Sequence, residues 1–323
     1  MNKLLLSRIL TVTAVAFLIA VFFAPTWWVS LKAPNYPPES FPEGVRIHFH
    51  MNGVFNGCPL RQSEELHIDE ALDCVHEMNT INHYVGMYPI ASAAPVERAF
   101  SPMLVSLLIL MLLVFMMPGK KSQFIILGIG AATISTWLLV ALFTEGGIMF
   151  TSDGYRQALM TSMDLDADEI KGWSLHFAML EGYRDSLGAY FRNPVEIEPR
   201  VAMLSQAAYV IAAALIVAML VLIIGLWKMR NFFYWLLIII PILLPVFFIL
   251  DYAAWLWWYG HTLNDMAAFS IKPFMPTVFG DGKVAQFSTH SYPHYGFALM
   301  LASSFSLGLA ALLRRKQLRE EAS

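Results

Sequence analysis

Long apolar runs alternate along the chain with polar stretches that carry nearly all of its charge. A hydrocarbon core of about 30 Å needs roughly 20 apolar residues in a helix. Six runs meet that need: about Leu4–Val29, Ser101–Met117, Phe124–Phe143, Val201–Trp227, Phe232–Leu250 and Tyr295–Leu313. The first follows Lys3 and holds Arg8 near its start, as a signal peptide would. It lacks a small-x-small cleavage site and ends in Trp27 and Trp28, residues of the membrane interface, so it reads as an uncleaved anchor. Pro241 and Pro245 fall inside the fifth run and predict a kink there.

Basic residues in short loops mark the cytoplasmic side of a membrane. Lys3 and Arg8, Lys120 and Lys121, Lys228 and Arg230, and Arg314, Arg315, Lys316 and Arg319 all fall on one side of a six-pass arrangement. The inner segments hold ten Lys/Arg against two acids, Glu320 and Glu321, and the outer segments eleven against twenty-two. Both termini are therefore expected in the cytoplasm of a bacterial inner membrane, with the main loops in the periplasm. The chain divides into an anchor (1–29), an extracytoplasmic region (30–100), a helix pair (101–143), a segment built on an amphipathic helix (144–200), a second pair (201–250), a third outer segment (251–294), and a last span with a basic tail (295–323). The expected fold is mainly α. It is a six-helix integral membrane protein carrying a small mixed α/β extracytoplasmic region made from three inter-helix segments.

Within the first outer segment, Ala33 to Pro38 is a Pro-rich spacer. Val45, Ile47, Phe49 and Met51 alternate with Arg46, His48 and His50, which is the period of a strand. Asn52-Gly53 and Asn56-Gly57 signal turns. Ile68 to about Asn79 reads as a short helix, with His67 or Asp69 near its start. In the second segment, Asp166 to Glu169 has the pattern of a capping box. Ile170, Trp173, Phe177, Leu180, Leu187 and Phe191 then recur at helical steps, out to Asn193-Pro194. The third segment opens on an aromatic run, Tyr252 to Tyr259, of the kind that lines an outer interface.

Hydrophobic residues make up 57 % of the chain and charged residues 14 %, where a soluble domain carries about a quarter charged residues. The inner loops are too short for a nucleotide-binding domain, and no GxxxxGK[ST] or GxGxxG occurs. HExxH, GxSxG and SxxK are also absent, so no hydrolytic motif is present and no catalytic residue is assigned. Nothing in the charge pattern points to nucleic acid. Cys58 and Cys74 are the two cysteines, and without CxxC or CxxCH neither an all-cysteine cluster nor covalent c-type haem fits. In an oxidising compartment a Cys58–Cys74 disulfide is the default reading, with a thiolate metal site as the alternative.

All nine histidines fall outside the spans or at their outer edge. Exclusion from lipid accounts for part of that, but several lie close to methionines. His48, His50 and Met51 form one group, and His76, Met78, His83 and Met87 a second. His290 and His294 form a third, without methionine. Imidazole with thioether suits copper, Cu(I) above all, better than zinc, calcium or magnesium. The plain alternative is that these are interfacial polar residues and core methionines. Bis-histidine haem needs histidines within facing spans, which the sequence does not offer.

Two phrases carry a resemblance. The first is Glu77 to Ile90, with Ile81-Asn82-His83-Tyr84-Val85-Gly86-Met87 as its distinctive part. The second is Pro276 to Gly280 followed by Ala285 to Pro293. Together they resemble a poorly characterised multi-pass family associated with nitrous oxide reductase gene clusters, where it accompanies a copper chaperone lipoprotein and ABC-type maturation proteins. The resemblance covers two outer segments and the layout of spans around them. It implies an accessory role, in which the chain matures a periplasmic copper enzyme or supplies it with copper or electrons. His83 and Met87 are then the first candidate ligands, with His48, His50 and Met51 as a second group and His76, Met78, His290 and His294 in support. Tyr84 and Gly86 would shape the loop. Two other functions fit the sequence. One is a structural subunit of a larger membrane complex with no metal of its own. The other is a channel for a small solute or metal ion, which the scarcity of polar residues in the spans disfavours.

Overall fold

A computed structural model describes residues 3–62, 69–89, 94–268, 270–284 and 286–321, with the backbone alone described at 60–62 and 69–71. The apolar runs form helices α1 (Lys3–Phe23), α3 (Pro95–Met116), α4 (Lys120–Phe143), α7 (Pro194–Lys228) and α10 (Tyr295–Glu320). All five are long and apolar enough to cross a membrane. Helices α8 (Arg230–Ile242) and α9 (Leu244–His261) pass the same test as a pair, bent by 60° at the break between them. Pro241 closes the first and Pro245 opens the second, and each removes a backbone donor and disfavours continued helix before it.

The boundaries of several elements differ from the sequence expectation, each for a local reason. The first helix stops at Phe23 rather than running to Val29, because Pro25 cannot continue it. Trp27–Lys32 is instead strand β1, and Trp27 is 3 % exposed rather than interfacial. Helix α3 starts at Pro95, six residues before the expected Ser101, with Pro at its first position and Glu97 in its first turn, both favourable at a helix start. Helix α7 likewise starts at Pro194, where the Asn193 side chain accepts from Val195 N–H at 3.0 Å. Helix α9 takes in the aromatic run and ends at His261.

Strand β2 (Val45–His50) is where the alternation predicts it and pairs with β3 (Gly53–Asn56). The expected helix from Ile68 is displaced: Asp69–Ala71 is strand β5, paired with β4 (Leu60–Gln62). Helix α2 spans Cys74–Tyr84, capped by the Asp73 carboxylate, which accepts from Val75 and His76 N–H at 3.0 Å each. His67 and Ile68 lie outside the described residues. In the second outer segment, Asp166 N–H does donate to Glu169 Oε2 at 2.7 Å, but only a single turn follows. Ser152 caps helix α5 (Asp153–Met163), and Ser174 caps α6 (Leu175–Gly188). Ile170 still faces inward, packing with Ile148, Leu159 and Ala178.

Two further strands, β6 (Gly280–Val284) and β7 (Phe287–Pro293), complete a five-stranded antiparallel sheet of order β3-β2-β1-β7-β6. Strand β1 leaves α1 and β7 enters α10, so their pairing, from Trp27↔Pro293 to Lys32↔Ser288, continues the contact between these two helices. Ser7 donates to Ala310 O and Ser303 to Ala14 O, both at 3.0 Å, which holds α1 and α10 close along their length. One sheet face presents Val29, Leu31, Ile47 and Phe287 to α2 and α9, leaving an apolar cavity of about 70 Å³. Cys58 and Cys74 form a disulfide with their Cα atoms 5.9 Å apart, tying the turn after β3 to the first residue of α2.

Candidate functional site

Side chains alternate across a strand, so Arg46, His48 and His50 share the sheet face opposite the core. In register with them are Trp28 and Tyr292, whose rings lie 5.4 Å apart, and the Arg46 guanidinium sits 4.3 Å over Trp28. The β1–β7 pairing brings His294 to the same place, its ring 5.1 Å from that of His48. His48, His50 and His294 therefore lie near the C-terminal end of α1 and the N-terminal end of α10 although 244 residues of sequence separate His50 from His294.

Their nitrogens have different fates. The Nδ1 of His294 accepts from the Tyr295 N–H at 2.8 Å and caps α10, so that lone pair is spent on the fold. His50 is hydrogen-bonded through its ring to the Phe23 carbonyl and packs 4.6 Å from Phe55. A ring N–H held by a carbonyl fixes the tautomer and leaves the other nitrogen a free lone pair, the arrangement common among metal-binding histidines. The Nε2 of His48 is buried without a hydrogen-bond partner among the described residues. Burial lowers the pKa of both His48 and His50 to about 4, and the Arg46 charge adds to the effect at His48. Both are thus neutral at pH 7. Because the folded state resists protons that the unfolded chain accepts near pH 6.5, stability is flat above pH 7 and falls as the pH drops from about 6.5 towards 4. Thermal melts across that range should show the fall, and a His48→Gln, His50→Gln variant should show a shallower one.

The other candidates lie apart from this face. His76 and His83 occupy one side of α2, on either side of Tyr190, with ring distances of 5.9 and 5.7 Å. Tyr190 OH is 3.2 Å from His76 Nδ1, and His83 meets Phe191 edge-on at 5.0 Å. Met78 and Met87 instead line the apolar cavity under the sheet. Met51 sits at the β2–β3 turn, packed on the core. His290 Nδ1 pairs with Asp281 Oδ1 at 2.6 Å at the far edge. Gly86, at φ +83°, shapes its loop as expected: its carbonyl accepts from both the backbone and the side chain of Asn264, at 2.8 and 2.7 Å. Among the described residues no three His, Cys, Asp or Glu side chains converge closely enough to hold a metal ion together.

A polar network outside the sequence expectations joins α3, α6, α7 and α9. Tyr88 OH donates to Glu196 Oε2 at 2.9 Å and accepts from Arg200 Nη2 at 3.2 Å, while the guanidinium lies 4.2 Å over the Tyr88 ring. Tyr183 and Tyr259 are hydrogen-bonded to each other beside Arg200, and Glu97 and Asp251 lie next along the line. Proline at the first position of α3 and α7 was the available signal, because it moves both helix starts outward and brings Glu97, Glu196 and Arg200 into helix. Beyond this network, an open cleft of about 810 Å³ separates α5 and α6 from β3 and α2. No family model matches the chain, and neither a curated protein nor a solved structure is found to be similar to it.

Proposed function

We propose that this chain is a membrane-anchored accessory protein for an extracytoplasmic copper enzyme of the nitrous oxide reductase kind, and that the face carrying His48 and His50 takes up or hands over Cu(I). The α8–α9 pair counts as one bent crossing in this reading. That gives six spans, with both termini and the four basic clusters in the cytoplasm and the sheet in the periplasm. The observation that carries the metal assignment is the state of the two imidazoles. Both are neutral and on one strand face, one held by a backbone carbonyl and the other with a buried, unpartnered Nε2. Two neutral nitrogen donors form a low-coordinate set that suits Cu(I). Transfer requires a ligand set that can let go, and a two-donor face meets that need. The geometry moves the weight of the proposal from His83 and Met87 to His48 and His50, since Met87 is buried in the apolar cavity.

Purified protein loaded with Cu(I) under reducing conditions should bind about one equivalent, with His48→Ala, His50→Ala lowering the affinity at least about tenfold and His83→Ala, Met87→Ala leaving it unchanged. Equal affinity in the first variant and the parent would sink the assignment. The open cleft between α6 and α2 favours a second reading, a structural subunit that docks a partner there. Native purification returning a stoichiometric partner and no copper would support that reading over the first.

A further inference from the structure

A cavity of about 70 Å³ lies where the end of β2 and the start of β3 meet α3 and α9. Its walls are aromatic: Phe248, Tyr252, Trp255 and Tyr259 from α9, one or two turns apart. Two carboxylates close it, Glu97 from the first turn of α3 and Asp251 from α9. Glu97 accepts a hydrogen bond from Trp255, which holds it against the aromatic wall, and Asp251 is its electrostatic neighbour. Neither carboxylate has an ion-pair partner among the described residues, so nothing in the described chain balances two acids set in apolar surroundings.

The position of Asp251 makes the imbalance sharper. It is exposed on a helix surface whose neighbours Val246, Phe247, Leu250 and Trp257 are 51 %, 46 %, 60 % and 53 % exposed, the surface that lipid would cover. An acid facing lipid is costly and marks a site that meets a counter-charge. Aromatic faces are negative and attract cations as well, an ammonium group above all. The cavity is small, sized for a compact cationic group rather than a whole ligand, and the acids do not converge with a third donor as a metal site would.

We propose that this cavity binds the ammonium headgroup of a membrane lipid, with Glu97 and Asp251 facing the positive charge and the four aromatic rings enclosing it. The acyl chains then run along the exposed face of α9 below Asp251. A lipid seated there fills the junction between the sheet and the helices from the membrane side. His50 also lines the cavity, but the reading does not require copper, because it rests on the two carboxylates and the aromatic wall.

The test uses full-length protein, delipidated in a non-ionic detergent and titrated with short-chain phosphatidylethanolamine, phosphatidylcholine and phosphatidylglycerol. The two ammonium lipids should bind about tenfold or more tightly than the anionic one, and Glu97→Gln with Asp251→Asn should bring all three level while Cu(I) binding stays at the parent value. Trp255→Phe, which keeps the ring and removes the hydrogen bond to Glu97, should weaken the preference if the double variant does not fold. Equal binding of the three lipids to the parent, or an undiminished preference in the folded double variant, overturns the proposal. Free ethanolamine binding as tightly as the lipid would overturn the lipid as the source of the ammonium group.

Discussion

Replacing Trp27 by alanine is expected to lower the stability of the folded chain by about 3–5 kcal/mol, the cost of deleting a fully packed aromatic side chain. Trp27 begins the central strand and is 3 % exposed. Its ring touches Phe248 and Tyr252 of α9, Phe279 just before β6, and Phe297 of α10, with centroids 5.5–6.2 Å apart. Its indole N–H donates to Ser291 Oγ at 2.9 Å, which in turn donates to the Val278 carbonyl at 2.8 Å. One side chain therefore joins the sheet, the bent helix pair and the last span. Alanine leaves a cavity at that junction and removes one hydrogen bond to Ser291 Oγ, which keeps the Tyr252 hydroxyl at 3.3 Å, so the cavity carries most of the loss. Phenylalanine restores most of the volume and none of the hydrogen bond, so Trp27→Phe should cost clearly less. Thermal unfolding in detergent, followed by Trp fluorescence and by retention of the folded species on size exclusion, gives the ranking. A Trp27→Ala protein as stable as its parent would show that the sheet is not coupled to the helices through this ring.

How far the sequence reveals this architecture depends on the range of the interaction that sets each element. The spans are legible because a helix in lipid satisfies its own backbone, so about 20 apolar residues announce it. The β2 strand is legible through its alternation, and the face shared by His48 and His50 follows from it. The bend in the fifth run is legible from Pro241 and Pro245. Strand β1 is hidden because Trp27 to Leu31 continues an apolar run and reads as its end. Its pairing with β7 joins residues about 260 positions apart, which no local pattern reports. The meeting of His48 with His294 is a consequence of that pairing, and so it was not available to the sequence reading. The separation of His83 from Met87 has a different origin. On a helix followed by a turn, spacing alone does not say which residue faces the cavity under the sheet. Ser152 and Ser174 cap α5 and α6 with no acid three residues on, whereas Asp166 to Glu169 has the full capping pattern and predicts a helix start of its own. That pattern closes one turn, and Ile170 and Trp173 then pack against Ile148 and Leu159 rather than extending a helix.

Removing the Cys58–Cys74 disulfide is expected to destabilise the sheet and α2 by about 3 kcal/mol while leaving the long apolar helices folded. The bond closes a loop over 16 residues of sequence, and the loss of chain entropy in the unfolded state is what it offers. The fold does not rely on it alone. The Asn56 side chain bridges the same two arms: its Oδ1 accepts from Cys58 N–H at 3.0 Å and Cys74 N–H at 3.3 Å, and its Nδ2 donates to Leu72 O at 2.8 Å. The junction is therefore held twice, once covalently and once by hydrogen bonds. Cys58→Ser with Cys74→Ser should leave β3 and α2 in place at 25 °C but bring forward their melting. Adding Asn56→Ala should cost more than the sum of the separate changes, since each tie limits what the loss of the other releases. Limited proteolysis between 57 and 73 should then cut the reduced Asn56→Ala protein first, ahead of the parent and of either single change. Strict additivity of the two effects would show that the arms separate independently, and that Asn56 does no more than satisfy the backbone at a turn. Because α2 carries one wall of the apolar cavity and the His76–His83 side against Tyr190, its release should also loosen the contact with Tyr190 and Phe191. A shift of the Tyr190 environment on reduction, with the α1–α10 contact unchanged, is the spectroscopic signature of that local opening.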